Sequence, residues 1–229
     1  MEGVSRRSLL LAAAAALLLA ACATAPTGTY FPDLSDPDTQ KVSQAFYLAA
    51  LAAGDDPSRY SFARVSADEA RIYSDADATF YVTDGLARLP APVVEAEIAR
   101  EVAHEVLGHA ARRRALSWSV TAGFVALGIA FPGAGLADFL VNPLVVRAFS
   151  RDQVKAADAK AVEILRAMGH ASPRRTLASA LETVTAVNAK SPQPDGLLAS
   201  HPPLGERLAA LEPLEPFASA VAEASPDSR

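Results

Sequence analysis

The residues best suited to chemistry lie in one short run, His104-Glu105-Val106-Leu107-Gly108-His109. Two imidazoles one turn apart on a helix can hold one Zn²⁺, and a glutamate beside the first can activate a metal-bound water. The usual spacing for this is His-Glu-x-x-His, whereas here the second histidine comes one residue later. Each residue of an ideal helix turns by about 100°, so a spacing of four leaves the rings ~40° apart and a spacing of five ~140° apart. The sequence therefore predicts a π-bulge across Val106 to Gly108 that restores a common face, with Gly108 the most permissive residue inside it. Two of the chain's four histidines fall in this run.

Stepping outward, the run lies on an apolar-periodic segment, Pro92 to Leu116, that reads as one long helix with Pro near its start. Pro37 to Ala53 also reads as a helix, with Val42, Ala45, Phe46, Ala49 and Ala53 on one face, stopped by Gly54-Asp55-Asp56-Pro57. Tyr60 to Val65, Ala70 to Tyr73 and Thr79 to Val82 are short β-type runs between Asp-rich turns. Helices are expected over Arg151 to Met168, ended by Gly169, over Pro173 to Ala189, and over Pro203 to Leu211. This order implies an α+β domain, mostly helical, with a small edge sheet packed on the helix that carries the histidines. Ser117 to Phe149 is very apolar, broken by Pro132-Gly133 and Pro143. Each of its halves is shorter than the roughly 20 residues of a membrane span, so it reads as a buried helical hairpin, with membrane contact as the alternative.

The chain has 229 residues and a net charge of -5, and no basic stripe offers partners to nucleic-acid phosphates. Its one cysteine excludes an intramolecular disulfide. That residue, Cys22, ends a segment that looks like an export signal, residues 1–21. Arg6 and Arg7 supply the positive start, and Leu9 to Ala21 is an apolar run too short to cross a bilayer comfortably. Leu19-Ala20-Ala21-Cys22 resembles a bacterial lipobox, in which the Cys is acylated and becomes the new N-terminus. Ser5-Arg6-Arg7-Ser8-Leu9-Leu10 also looks like a twin-arginine export motif. Ala23 follows the cysteine where an Asp would mark inner-membrane retention. The resemblance to Gram-negative lipoproteins thus implies a lipid anchor on the periplasmic face of the outer membrane. Residues 22–36 read as a Thr-, Pro-, Gly- and Asp-rich tether, 37–215 as one domain, and 216–229 as a flexible tail. Nothing in the chain fixes an oligomeric state.

Three further motifs fall in a telling order. Phe80-Tyr81-Val82-Thr83-Asp84-Gly85-Leu86 precedes the histidine helix. Ser150-Arg151-Asp152-Gln153-Val154-Lys155-Ala156-Ala157-Asp158 follows it, and then Ser200-His201-Pro202-Pro203 with Arg207. Over roughly Tyr60 to Leu211 this resembles peptidase family forty-eight, the gluzincins that include the CAAX prenyl protease, HtpX and several periplasmic lipoprotein proteases. The longer His spacing is similar to that of dipeptidyl peptidase III, whose His-Glu-Leu-Leu-Gly-His motif holds zinc. The resemblance implies a gluzincin-like metallopeptidase fold acting on polypeptides with one zinc ion. His104 and His109 would be metal ligands and Glu105 the general base. Asp158 would accept a hydrogen bond from a ligand imidazole, His201 would help stabilise the oxyanion, and Arg207 lies in the matching catalytic position downstream.

Beside the longer histidine spacing stand two further departures. The family's third ligand, a Glu, is replaced by Val154, and its Asn-Ala edge segment by Ile72-Tyr73-Ser74-Asp75-Ala76-Asp77-Ala78. Asp158, one turn from Val154, could substitute as ligand, as could Asp75 or Asp77 from the edge strand, with Asp152 placed less well. The expectation is a membrane-anchored periplasmic zinc endopeptidase with a remodelled site, acting on misfolded or envelope proteins. The alternative is an inactive pseudopeptidase that serves as a binding or chaperone-like envelope lipoprotein.

Overall fold

The computed structural model describes residues 25–74, 78–109, 149–190 and 202–216. The signal segment, Cys22, Asp75, Asp77, the apolar stretch up to residue 148, His201 and most of the tail lie outside the described residues. The first long element is helix α1, Pro37–Ala53. Asp36 caps it by accepting from the Thr39 amide at 3.1 Å, and Gly54, at φ 77°, ends it in the left-handed region. The expected stop at Gly54 is thus observed.

A four-stranded sheet follows. Its strands are β1 (Thr29–Tyr30), β2 (Ser61–Val65), β3 (Ile72–Ser74) and β4 (Thr79–Thr83), in the order β1-β2-β4-β3. β2 and β4 run parallel with Phe62 opposite Phe80, while β1 and β3 pair antiparallel at the two edges. The three predicted strands are present, displaced by one or two residues at their ends. β1 was not expected, because Thr29 and Tyr30 lie inside the segment read as a tether. Two residues carry no detectable alternation, and they become a strand only because β2 offers an unpaired edge. The tether ahead of the body is correspondingly shorter.

The rest is helical: α2 (Asp84–Ala87), α3 (Ala91–Val106), α4 (Arg151–Ala167), α5 (Pro173–Asn188) and α6 (Leu204–Leu211). No helix among the described residues is long and apolar enough to cross a membrane. Helix α3 is the hub of the core. It packs against α1, α4 and α5, and β3 touches it from the sheet. Val94, Ile98, Ala99 and Val102 on α3 are fully buried. Aromatic rings close the layer between α1 and the sheet, with Phe46 4.9 Å from Phe80 and Tyr60 stacked on Phe80 at 6.0 Å. Asn188, at the end of α5, clasps the backbone of Ala70. Its Oδ1 accepts from the Ala70 amide at 2.8 Å, and its Nδ2 donates to the Ala70 carbonyl at 3.0 Å. The approach to β3 is thereby tied to the helical layer.

The Gly-Leu turn after β4 has a steric cause. The Gly85 amide donates to the Ala67 carbonyl at 2.9 Å, and a Cβ on Gly85 would lie 2.1 Å from the Asp68 carbonyl oxygen. The backbone around Asp68 therefore lies directly on α2, and only glycine admits that approach. Gly85→Ala should cost about 3 kcal/mol through overpacking against backbone, measured by urea unfolding. A variant as stable as the parent would show that the loop moves aside freely.

Candidate metal centre

The geometry of the histidine run follows from where α3 stops. The helix does not pass through Val106 to Gly108 as a π-bulge. It ends at Val106, Leu107 caps it in the right-handed region, and Gly108 turns into the left-handed region at φ 68°. The Leu107 amide still reaches the Ala103 carbonyl at 3.0 Å, and the Gly108 amide reaches the Glu105 carbonyl at 2.9 Å. The extra residue is thus absorbed by a helix terminus that glycine permits, in place of a widened turn. The expectation of a bulge is corrected, while its purpose is met. His109 is brought back to face His104, with their Nδ1 atoms 3.0 Å apart and their ring centroids 5.1 Å apart.

Both histidines are buried, and one Nδ1 donates to the other. Two nitrogens at ~2.05 Å from a tetrahedral zinc lie about 3.3 Å apart, so the pair is within a few tenths of an ångström of metal-bridging separation. Phe149 stacks on His104 at 3.8 Å with an interplanar angle of 16°. A ring lying on the imidazole face does not block the in-plane direction along which Nδ1 meets His109. Phe149 is set by the start of α4. There Ser150 and Gln153 form a reciprocal cap, with Ser150 N to Gln153 Oε1 at 2.9 Å and Gln153 N to Ser150 Oγ at 3.2 Å.

Helices α3 and α4 run antiparallel. Glu95 meets His170, just beyond α4, at 3.0 Å, and further along α3 Arg100 meets Asp158 at 3.0 Å. One more turn along α3 is His104, and one turn back along α4 is Val154, so position 154 lies level with His104. Val154 is fully buried. An apolar side chain therefore occupies the place from which a third ligand was expected. Among the described residues no group of three or more His, Cys, Asp or Glu is positioned to hold a metal. The described donor set is thus two histidines, one short of the three protein ligands that a catalytic zinc ordinarily takes.

Asp158 has different partners from those expected. Its Oδ1 accepts from Arg100 Nε at 3.0 Å and Arg207 Nη2 at 2.7 Å, and its Oδ2 accepts from Arg207 Nε at 2.8 Å. Three of its roughly four acceptor positions are taken by guanidinium groups, and neither imidazole is among its partners. The expectation of a substitute ligand or a histidine-orienting acceptor is replaced by that of an anchor for two buried arginines. The physical reason is the match between a planar guanidinium fork and a carboxylate. Arg207 spends its fork on this contact, so its charge is directed at Asp158. Glu105 is partly buried, and its Oε1 lies 3.4 Å from Arg59 Nη2. Arg59 is held in turn by Asp55, both of whose oxygens accept from its Nη1 at 2.8 Å. Burial is the main reason the Tyr60 hydroxyl is pushed above its usual range, helped by its hydrogen bond to Asp55.

Glu97 and Arg100 are functional-region residues that were missed. Arg100 Nη1 donates to Glu97 Oε2, three residues earlier on α3, and both side chains are buried. The signal was present as an i,i+3 acid–base pair on the face that carries His104, but a charged pair on a helix ordinarily reads as solvated.

Two variants test this arrangement. Gly108→Ala should cost about 1–2 kcal/mol of left-handed backbone strain and weaken metal binding by displacing His109; unchanged affinity by isothermal titration would mean that the two rings do not form the site. Asp158→Ala should cost about 3–5 kcal/mol, because it strips two buried arginines of their shared partner. Because the cluster holds the backbone around His104, zinc affinity in the fraction that folds should fall, but by less than ~10-fold, whereas a loss of roughly 10–100-fold would return Asp158 to the role of orienting a ligand.

A family model described as Peptidase family M48 matches residues 49–215. No curated protein matches the chain. The matched span runs from within α1 past α6 and takes in the histidine pair, Glu105, position 154 and Asp158, well over half of the chain. The chain belongs to peptidase family M48.

Proposed function

We propose that the protein is a zinc metallopeptidase with a remodelled metal site, anchored through acylated Cys22 at the periplasmic face of the outer membrane, where it cleaves misfolded or envelope proteins. Membership of peptidase family M48 suggests a metallopeptidase, and a peptidase acts on polypeptides. The observation that carries the reading is the convergence of His104 and His109 at 3.0 Å despite their altered spacing. Two buried imidazoles so placed would hold a zinc ion, which when bound supplies an activated water for peptide hydrolysis. The third ligand is assigned to the segments outside the described residues, with Asp75 and Asp77 as the carboxylates expected from the edge strand.

Glu105 adjoins the first histidine and is the side chain suited to take and return a proton at its carboxylate. Arg59, half-exposed and reaching it only at 3.4 Å, orients that carboxylate more than it binds it. Val154 would keep one flank of a bound metal apolar, while the arginine–carboxylate cluster one turn away holds the backbone that carries His104. His201, from the resemblance alone, is the group proposed to stabilise the oxyanion.

A second reading has its own support. The buried Val154 level with His104, and the commitment of Asp158 to two arginines, both suit a pseudopeptidase that keeps the fold and binds protein without cleaving it.

Elemental analysis of the chain purified without a metal-binding tag should find near-stoichiometric zinc, lost in His104→Ala. Glu105→Gln should retain the metal and lose cleavage of an unfolded protein substrate. Absence of zinc even at micromolar supply favours the pseudopeptidase, and cleavage unaffected by Glu105→Gln sinks the assignment of the base. Val154→Glu should raise zinc affinity by restoring a carboxylate level with His104, and an unchanged affinity would show that the helix register is misread.

A further inference from the structure

The least explained surface among the described residues is apolar. Phe31 and Leu34 are 95% and 80% exposed, and Tyr47 and Leu51 on α1 are 56% and 51% exposed. Tyr47 and Leu51 are one turn apart, with Leu48 beside them, and Leu34 and Tyr47 line the same shallow depression. Single exposed apolar residues are ordinary, but neighbouring large ones mark a contact surface.

These side chains are presented by ordered backbone. β1 pairs with β2 immediately before Phe31, and the Tyr30 hydroxyl donates to Asp84 at 2.6 Å. Asp33 accepts from both the amide and the hydroxyl of Ser35 at 2.8 Å. Gln40 Nε2 donates to the Leu34 carbonyl at 3.1 Å. Phe31 and Leu34 are therefore pinned outward, at the cost of leaving two large apolar groups in water.

The anchor says what covers them. Only the residues from Cys22 to Thr29 separate the acylation site from β1, and fully extended they reach at most about 25 Å. A domain of this size is about 40 Å across. A body held on so short a leash cannot turn the β1 face away from the bilayer. The charges around the patch discriminate between lipids. Lys41 is paired with Asp38 at 2.9 Å, Asp36 is paired with Arg64 at 3.2 Å, and Asp33 adds a further negative charge. Such a rim opposes an anionic surface, and insertion there is driven by apolar burial.

We infer that Phe31, Leu34 and the outer face of α1 form a docking surface for a zwitterionic lipid bilayer, laid against it by the acyl chains on Cys22. The inference rests on the anchored reading proposed above.

Acylation consumes the thiol of Cys22, the chain's one cysteine, so a second cysteine can be labelled alone. Full-length acylated Leu51→Cys and, as a control on α4, Glu163→Cys should each carry a polarity-sensitive fluorophore in phosphatidylethanolamine–phosphatidylcholine vesicles. The Leu51 probe should shift to the blue and be quenched by lipids bearing a nitroxide near the headgroup, while the Glu163 probe does neither. Adding anionic lipid should weaken the quenching. If the protein floats with the vesicles and neither probe is quenched, the docking surface is refuted and the anchor stands. A blue shift without nitroxide quenching means that protein covers the face, a second copy or another part of this chain, and overturns the proposal. Failure to float removes the acylated anchor and the docking inference with it.

Discussion

The arrangement of the site depends on a buried cluster of four charges, Glu97, Arg100, Asp158 and Arg207, which joins α3, α4 and α6. Formally it is neutral. Burial alone would lower the pKa of the Arg100 guanidinium, but the Glu97 and Asp158 carboxylates outweigh burial and hold it above its ordinary range. A cluster like this adds little net stability compared with apolar packing, because each charge is first taken out of water. Its effect is on register. The 3.0 Å hydrogen bond from Arg100 to Asp158 fixes the alignment of α3 on α4, where Ala and Val faces could slide, and the two bonds of 2.7 and 2.8 Å from Arg207 hold α6 to the same carboxylate. His104 is one turn from Arg100 and Val154 one turn from Asp158, so the same alignment sets the walls of the candidate metal centre.

Much of this fold was legible in the sequence, for local reasons. The apolar spacing of Val42, Ala45, Phe46 and Ala49, stopped by Gly54, delimits α1. Ser150 and Gln153 announce the start of α4, and Gly169 its end. These signals act within one turn of chain and need no partner. β1 was invisible for the opposite reason, since its hydrogen bonds come from Val65 and Arg64, more than thirty residues away.

The candidate site divides along the same line. That His104 and His109 belong together was evident from their types. How they meet was not, because spacing alone does not distinguish a widened helical turn from a helix end, and the left-handed φ of Gly108 serves the second. Asp158 was picked out as important, but its partners depend on the tertiary neighbours of an α4 position. The presence of Arg100 on the facing helix gives it to the arginines instead of the imidazoles. The tether was misjudged by the same logic. Polar, turn-forming residues describe a loop equally well whether or not a sheet edge stands beside it.

The helix end at Gly108 has a consequence for how any metal would be coupled to the rest of the protein. In an unbroken helix the two imidazoles would belong to one rigid rod, and binding would report only on the rod. Here His104 belongs to α3 and His109 to the next segment, with one left-handed residue as the joint between them. A metal held by both would act as a clasp across that joint. By thermodynamic reciprocity, whatever shifted the segment after His109 would alter the affinity for such a metal, and its occupancy would bias that segment by the same free energy. One extra residue would thus turn a fixed pair of ligands into a sensor of the chain that follows.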